Sequence, residues 1–237
     1  EAQYYLQEVK TLDGCILDTT KYDAVFKQSD YTTKTYIKSF DVENLTTDFE
    51  FNKTDVTGDK EVEGAQLTIT DEDGNVVDQW TSDGKVHSIE GLVVGKTYTL
   101  SETVTAKDYV KATDIKFTVK NSSELETVTM KDKQVFVSKT TVGGEEVTGA
   151  HMQIIDEDGN IIDEWYSEGK SHIANGLEEG KTYTLHEDLS PLGFNLANDF
   201  TFEVTKEKEN QTVEMIDTVT EVNKTDVDGK AVKEATL

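Results

Sequence analysis

Apolar and polar residues alternate along most of the chain, in short runs that are separated by turn residues. The segment GAQLTITDEDGNVVDQW, residues 64–80, alternates on both sides of an Asp-Gly pair, and this combination is typical of a β-hairpin. Residues 114–120, 126–132, 21–26 and 37–44 are further predicted strands, and no convincing helical period is present. The pattern therefore predicts an all-β chain of short strands.

The alternating pattern returns after 85 residues, the distance from Trp80 to Trp165 and from Tyr98 to Tyr183. A repeat of this length suits a sandwich of about seven strands with a modest core. We therefore expect tandem immunoglobulin-like β-sandwich repeats, stacked without a flexible spacer. The expected domains are two complete repeats, the second half of a repeat before them and the first strands of another after them: residues 49–133, 134–218, 1–48 and 219–237.

The composition excludes several classes of function. The chain has a formal net charge of −25 and contains no arginine, so we expect no nucleic-acid partner. No apolar run in this segment is long enough to span a membrane, and the single cysteine, Cys15, cannot form an intrachain disulfide. The sequence lacks a glycine-rich phosphate loop and a nucleophile elbow, so it predicts neither a cofactor nor a turnover enzyme.

Three related segments place a glutamate where the alternation predicts the core. In YTLSE, the side chains of Tyr98, Leu100 and Glu102 point to the same face of a strand. The segments YTLHE and YYLQE place Glu187 and Glu8 in the same way. An unpaired buried carboxylate is costly, so each glutamate needs a polar partner in the core.

Lysine and aspartate show the same inward parity at the two ends of a repeat. The lysine follows two alternate, mostly apolar positions on the first strand, and the aspartate follows two apolar positions on the last strand. The residues concerned are Lys53, Lys139, Lys224, Asp132 and Asp217, with Asn44 at the corresponding position of the opening fragment. Each complete repeat is therefore predicted to bury a lysine, a glutamate and an aspartate. The alternation alone leaves open whether this set is reactive or is a buried ion-pair network without chemistry.

The acidic segments DEDGN, residues 71–75 and 156–160, suggest calcium at first sight. A calcium loop with glycine at its sixth position needs an acidic residue at the first position and a glutamate at the twelfth. In the first segment those positions hold Ile69 and Trp80. We therefore expect hairpin turns with solvated acids and no metal site.

The glutamate segments resemble the motif YxLxETxAPxGY of Cna B-type domains, the prealbumin-like modules of Gram-positive adhesins and SpaA-type pilins. Three copies of the motif occur in order along the chain. The matching residues are Tyr98, Leu100, Glu102, Thr103, Tyr109, Tyr183, Leu185, Glu187, Pro191, Gly193, Phe194, Tyr4, Leu6, Glu8 and Gly14. The sequence departs from the motif at Thr105, Ala106, Asp108, Asp188, Ser190 and Cys15.

The resemblance implies prealbumin-like sandwiches that form isopeptide bonds within themselves. In the first complete repeat, Lys53 would join Asp132, with Glu102 as the catalytic acid. The corresponding residues of the second repeat are Lys139, Asp217 and Glu187. An apolar surround favours a neutral, nucleophilic amine and a protonated glutamate that can transfer protons. The reaction would be a single turnover of the protein on itself.

The two incomplete ends carry parts of the same set. Glu8 and Asn44 would belong to a repeat whose lysine lies upstream, and Lys224 would begin a repeat whose glutamate and aspartate lie downstream. Residues 219–237 supply only about two strands of a sandwich that needs about seven. We therefore expect Asn44 and Lys224 to remain unlinked.

The expected function is that of a structural stalk segment in a surface-anchored adhesin or pilin-like protein outside the cell. Its partners would be neighbouring repeats of the same parent chain and, through other domains, a host or matrix ligand. One alternative is that the repeats bind such a ligand themselves, and another is that they are accessory domains of a secreted enzyme. Direct ligand binding predicts an exposed apolar or aromatic patch in only one repeat, because spacer repeats should look alike.

Overall fold

The computed structural model describes residues 2–27, 35–219, 225 and 227–230, and none of these residues lies in a helix. The chain divides into two compact units. The first consists of Glu1–Ala106 and Ala112–Asp132, and the second of Lys107–Lys111 and Lys133–Leu237. Each unit contains one complete repeat of seven strands.

The first unit begins with a two-stranded antiparallel sheet, β1 (Ala2–Leu6) and β2 (Tyr22–Phe26). The strands of its complete repeat are β3 (Asp48–Asp55), β4 (Glu63–Thr70), β5 (Val76–Asp83), β6 (His87–Glu90), β7 (Thr97–Val104), β8 (Ile115–Thr118) and β9 (Glu126–Asp132). Three strands form a sheet in the order β6–β3–β9, in which β3 and β9 run parallel. The other four form an antiparallel sheet in the order β5–β4–β7–β8.

Apolar side chains from both sheets form the core of the first repeat. Inward and outward positions alternate along a strand, so every second side chain meets the opposite sheet. The largest of these side chains that are fully buried are Phe51, Leu67, Ile69, Leu100 and Met130. They come from the first strand, the last strand and two strands of the four-stranded sheet, so the core holds the two sheets together.

The second unit repeats this architecture. Its strands are β10 (Val135–Thr141), β11 (Thr148–Ile155), β12 (Ile161–Glu168), β13 (His172–Ile173), β14 (Thr182–Leu189), β15 (Phe200–Glu203) and β16 (Gln211–Asp217). The sheet orders are β13–β10–β16, with β10 and β16 parallel, and β12–β11–β14–β15. The segment Lys107–Lys111 joins this unit, where the Lys111 amide donates to the Leu177 carbonyl at 2.8 Å. The two matching sandwiches confirm the predicted all-β fold of tandem repeats.

The opening part of the chain differs from the prediction. Residues 37–44, predicted as a strand, form none, and Tyr4 and Leu6 are 62% and 50% exposed. In a complete repeat, the last strand pairs with a parallel first strand, and the glutamate strand belongs to the sheet on the other side of the core. The described part of residues 1–47 contains no strand equivalent to the first or the last strand of a complete repeat. No opposing sheet therefore covers β1, and its apolar side chains stay in contact with solvent.

The DEDGN segments form turns that are closed by their own first aspartate. Asp71 Oδ1 accepts hydrogen bonds from the amides of Asp73 at 3.0 Å and Asn75 at 2.9 Å. Gly74 has a φ of 82°, a conformation in which a side chain would be strained. Hydrogen bonds from the Asn75 side chain hold the pKa of Asp71 below its usual range, and the equivalent asparagine has the same effect in the second turn.

A stacked tryptophan and histidine join the edges of the two sheets in each repeat. Trp80 on β5 and His87 on β6 have ring centroids 4.1 Å apart and an interplanar angle of 10°. His87 Nε2 also lies 2.7 Å from Asp78 Oδ2 on β5. In the second repeat, Trp165 and His172 stack at 4.0 Å and 9°. Since β5 and β6 belong to different sheets, the stack ties one sheet to the other.

We expect His172→Ala to lower the free energy of unfolding of the second repeat by about 1–2 kcal/mol, because it removes an aromatic stack and a hydrogen bond to Asp163. Denaturant unfolding followed by tryptophan fluorescence measures this in a Trp80→Phe background, where Trp165 is the remaining tryptophan. His186→Ala serves as the control, because His186 pairs with the half-exposed Asp199 at the surface. Equal midpoints for the two histidine variants would contradict the role of the stack.

Candidate functional site

The three-stranded sheet of the first repeat brings a lysine and an aspartate together in the core. Lys53 lies on β3 and Asp132 ends the adjacent parallel strand β9, where it pairs in register with Asp55, two residues beyond Lys53. Both side chains point inward, and they are 2% and 0% exposed. Lys53 Nζ donates a hydrogen bond to Asp132 Oδ1.

The facing four-stranded sheet supplies the glutamate. Glu102 lies on β7, and its Oε1 is 3.2 Å from Lys53 Nζ. Its other oxygen, Oε2, accepts a hydrogen bond from the backbone amide of Ala112 at 2.9 Å. The glutamate is therefore held by the loop after its own strand, with one oxygen directed at the lysine.

The second repeat contains the same arrangement. Lys139 Nζ donates to Asp217 Oδ1 and lies 3.2 Å from Glu187 Oε1. Glu187 Oε2 accepts a hydrogen bond from the amide of Ala197 at 2.6 Å. The lysine is 2% exposed and the two carboxyl groups are 0% exposed. Two copies of one geometry, in two separately packed cores, show that the sequence specifies it.

Each of the two cores therefore holds one lysine amine and two carboxyl groups that are shielded from water. Charged forms of such groups are disfavoured away from water, and mutual contact compensates only in part. An amine in contact with a carboxyl group is the reactant pair of amide formation, and an adjacent carboxyl group is able to transfer protons. Among the described residues, no group of three or more His, Cys, Asp or Glu side chains is arranged to hold a metal ion.

Backbone amides are the part of the site that the sequence did not reveal. The amide that binds each glutamate belongs to the residue ten positions further on, and the opening fragment follows the same rule, with the Asp18 amide 2.8 Å from Glu8 Oε2. Between glutamate and donor, the residue six positions after the glutamate has a positive φ in all three copies, at Gly14, Asp108 and Gly193. The constant spacing is the signal that could have predicted this loop.

The lysine backbone is also fixed by a neighbouring glutamate in each repeat. The amide of Lys53 donates to Glu61 Oε2 at 3.2 Å, and the amide of Lys139 donates to Glu146 Oε2 at 3.3 Å. The carbonyl of Lys53 accepts from the Val62 amide at 2.7 Å. The lysine is therefore positioned by a loop on one side of its strand and by the parallel strand on the other.

The remaining predicted site residues lie apart from these two sets. Glu8 and Asn44 line a common cavity of about 230 Å³ with Leu6, Tyr22 and Val42. Asn44 is exposed, in contrast to the buried aspartates of the complete repeats. Lys224 lies outside the described residues.

Lys133 is a further buried lysine, which the alternation of apolar and polar residues did not predict. Its ammonium group donates to the Thr205 carbonyl, to Thr205 Oγ1 at 3.0 Å and to the Glu207 carbonyl at 3.2 Å. None of these acceptors is a carboxylate, and burial lowers the pKa of Lys133. This lysine therefore anchors the turn before β16 and lacks the reactant carboxyl group that Lys53 and Lys139 contact.

Comparison with known protein families identifies the class of these repeats. The profile of the SpaA prealbumin-like fold domain matches residues 47–134 and 133–219. The matches cover most of the chain, so it belongs to this family of prealbumin-like domains. No curated protein matches the chain. No helix among the described residues is long and apolar enough to cross a membrane.

Several solved structures are similar to the chain. The TIE protein of Bacillus anthracis is 20% identical over 91% of this chain and 42% of its own, with a TM-score of 0.40. The shaft pilin SpaA from Lactobacillus rhamnosus GG is 15% identical over 74% of this chain and 98% of its own, with a TM-score of 0.35. The streptococcal ancillary pilin is 17% identical over 91% of this chain and 75% of its own, also at 0.35. The chain thus spans less than half of the TIE chain that it matches.

Proposed function

We propose that this chain is a stalk segment of a surface-anchored, pilin-like or adhesin protein, and that each complete repeat is locked by an isopeptide bond that it forms itself. The bonds join Lys53 to Asp132 and Lys139 to Asp217. One observation carries the proposal: both buried lysines contact an aspartate oxygen and lie 3.2 Å from a glutamate oxygen.

The reaction is the condensation of an amine with a carboxylic acid. The neutral lysine Nζ attacks the side-chain carbonyl carbon of the aspartate, and a C–N bond forms. The glutamate takes a proton from the nitrogen and gives one to the departing oxygen, so the C–O bond breaks and one water leaves. The product is a neutral amide, and the core no longer contains a separated amine and carboxyl group. The glutamate is regenerated, but the site is used once.

The position of the bond supports a mechanical role. Lys53 lies in the first strand of its repeat and Asp132 ends the last, 79 residues later. A force that pulls the two ends of a repeat therefore passes through the covalent bond, and the residues between them carry no load. By analogy with a disulfide, closing a loop of this size stabilises the repeat by about 4–5 kcal/mol. Slow unfolding protects an extracellular stalk from shear and from proteases.

The proposed location is the cell surface or the cell wall, outside the cell. Family membership supports this location, as does the use of a cross-link that needs no disulfide, in a chain with a single cysteine. The proposed partners are neighbouring repeats of the same parent chain and related pilin subunits. The proposed reaction uses only the protein's own groups, so it needs no external substrate.

Intact mass spectrometry tests the proposal. The folded protein is expected to weigh two water molecules less than its sequence, and a proteolytic digest should contain one branched peptide with Lys53 joined to Asp132 and another with Lys139 joined to Asp217. A sample that is made and kept in denaturant, so that it never folds, provides the reference without cross-links. The full sequence mass in folded protein would refute the proposal.

A further inference from the structure

The outer face of the four-stranded sheet in the second repeat carries a preorganised group of ionisable and aromatic side chains. His151 lies on the central strand β11, with Tyr166 opposite it on β12 and Asp188 on the other side on β14. The imidazole stacks on the Tyr166 ring, with centroids 4.6 Å apart. We call His151, Glu164, Tyr166 and Asp188 the outer-face group.

Two carboxylates of this group are fixed by the same imidazole. His151 Nδ1 lies 3.0 Å from Asp188 Oδ2, and Nε2 lies 3.1 Å from Glu164 Oε1. Gln153 also donates to Glu164 Oε1 at 2.9 Å. The two carboxylates contact opposite ring nitrogens, so they cannot bind one metal ion together with His151. The carboxylates are nevertheless 58% and 49% exposed, and Tyr166 is 60% exposed.

The first repeat has the same strands but a neutral surface at these positions. The residues 85 positions earlier are Gln66, Gln79, Thr81 and Thr103. Thr103 Oγ1 donates to the Gln66 carbonyl at 3.2 Å, and Gln79 Nε2 donates to Thr68 Oγ1 at 3.2 Å. The cores and reactive sets of the two repeats are alike, so the fold does not require the outer-face group. An exposed aromatic in only one of two spacer repeats is the mark of a repeat that binds something.

We infer that the outer-face group is a docking surface for a basic protein segment with arginine or lysine side chains. The exposed Tyr166 ring offers a face for a cation, and His151 holds the Glu164 and Asp188 carboxylates at fixed positions beside it on either side of the imidazole, which suits a guanidinium or ammonium group. His186 and Asp199 extend the surface along β14, with ring nitrogen and carboxylate 2.7 Å apart. A second copy of the chain would not fit, because its net charge is −25. This binding role goes beyond the stalk function and does not depend on the isopeptide bonds.

Backbone amide NMR with a synthetic peptide of alternating arginine and glycine tests the inference. Resonances of β11, β12 and β14 should shift on titration, and the equivalent strands of the first repeat should not. The variant H151Q/E164Q/Y166T/D188T, which gives the second repeat the side chains of the first, should weaken binding by about tenfold or more. The reverse variant Q66H/Q79E/T81Y/T103D should create binding in the first repeat.

A charge-matched control separates this surface from general acidity. E157Q/D158N removes two exposed carboxylates from the hairpin turn of the second repeat, and binding should stay unchanged. Equal binding to both repeats, equal loss in the control variant, or no binding of the peptide at all would each overturn the inference. The mass spectrum of each variant reports the cross-links independently of peptide binding. A missing mass deficit would therefore contradict the stalk proposal alone, and missing peptide binding would contradict the docking surface alone.

Discussion

Replacing Glu102 with alanine is expected to leave the protein one water short of its sequence mass, where we expect the unchanged protein to be two waters short. Without Glu102, the site loses the carboxyl group that would take a proton from Lys53 Nζ and pass one to the departing oxygen. General acid–base catalysis is typically worth about 10²–10⁴ in rate, so the first bond should be absent or slow to form while the second forms normally. The measurement is intact mass at intervals after refolding.

The variant Glu102→Gln separates the chemistry of the glutamate from its shape. A glutamine fills the same space and its oxygen accepts the Ala112 amide, but it does not exchange protons as a carboxyl group does. We expect one water of mass deficit for this variant as well. Glu187→Ala should prevent the bond of the second repeat and leave that of the first, again with a deficit of one water. The double variant E102A/E187A should have the full sequence mass. Rapid formation of both bonds in Glu102→Gln would show that Glu102 only fills space.

The two-residue period was enough to predict the burial of the two lysines, two glutamates and two aspartates of the complete repeats. Phe49, Phe51 and Lys53 are all 2% exposed, as their shared parity requires. Parity also placed Glu102 and Asp132 in the core, at 1% and 0% exposure. A polar residue at an inward position indicates a partner in the core, because burying it without one would destabilise the fold. Parity gives the face of a strand but not its neighbours, so alternation alone did not pair Lys53 with Asp132. The family resemblance implied that pair, and the sheet register places their strands side by side.

Residues outside regular strands were beyond this reasoning. Lys133 follows the last residue of β9, where alternation no longer applies, and it is buried by the turn that contains Thr205. The amides of Ala112 and Ala197 have no side-chain signature at all. In the opening fragment, the alternation is intact but Tyr4 is exposed. Alternation predicts which face would be buried, and burial itself requires an opposing sheet.

Two variants of the second repeat are expected to differ in stability although neither can form its cross-link. Asp217→Ala removes the reactant carboxyl group and leaves Lys139 paired with Glu187 at 3.2 Å. Loss of a bond across 78 residues should cost this variant about 4 kcal/mol and lower its melting temperature by roughly 15–30 °C. Calorimetry measures the transition, with the first repeat as an internal reference because neither substitution touches its proposed cross-link.

Lys139→Met has the same missing bond but leaves two carboxyl groups in the core without a cation. Removing one partner of a buried ion pair costs about 3–5 kcal/mol, so this variant should melt well below Asp217→Ala at neutral pH. Both variants should retain the one-water deficit of the first repeat. Equal melting temperatures would mean that Glu187 and Asp217 do not need Lys139 as a partner in the core, while an unchanged melting temperature in Asp217→Ala would mean that no bond was present to lose.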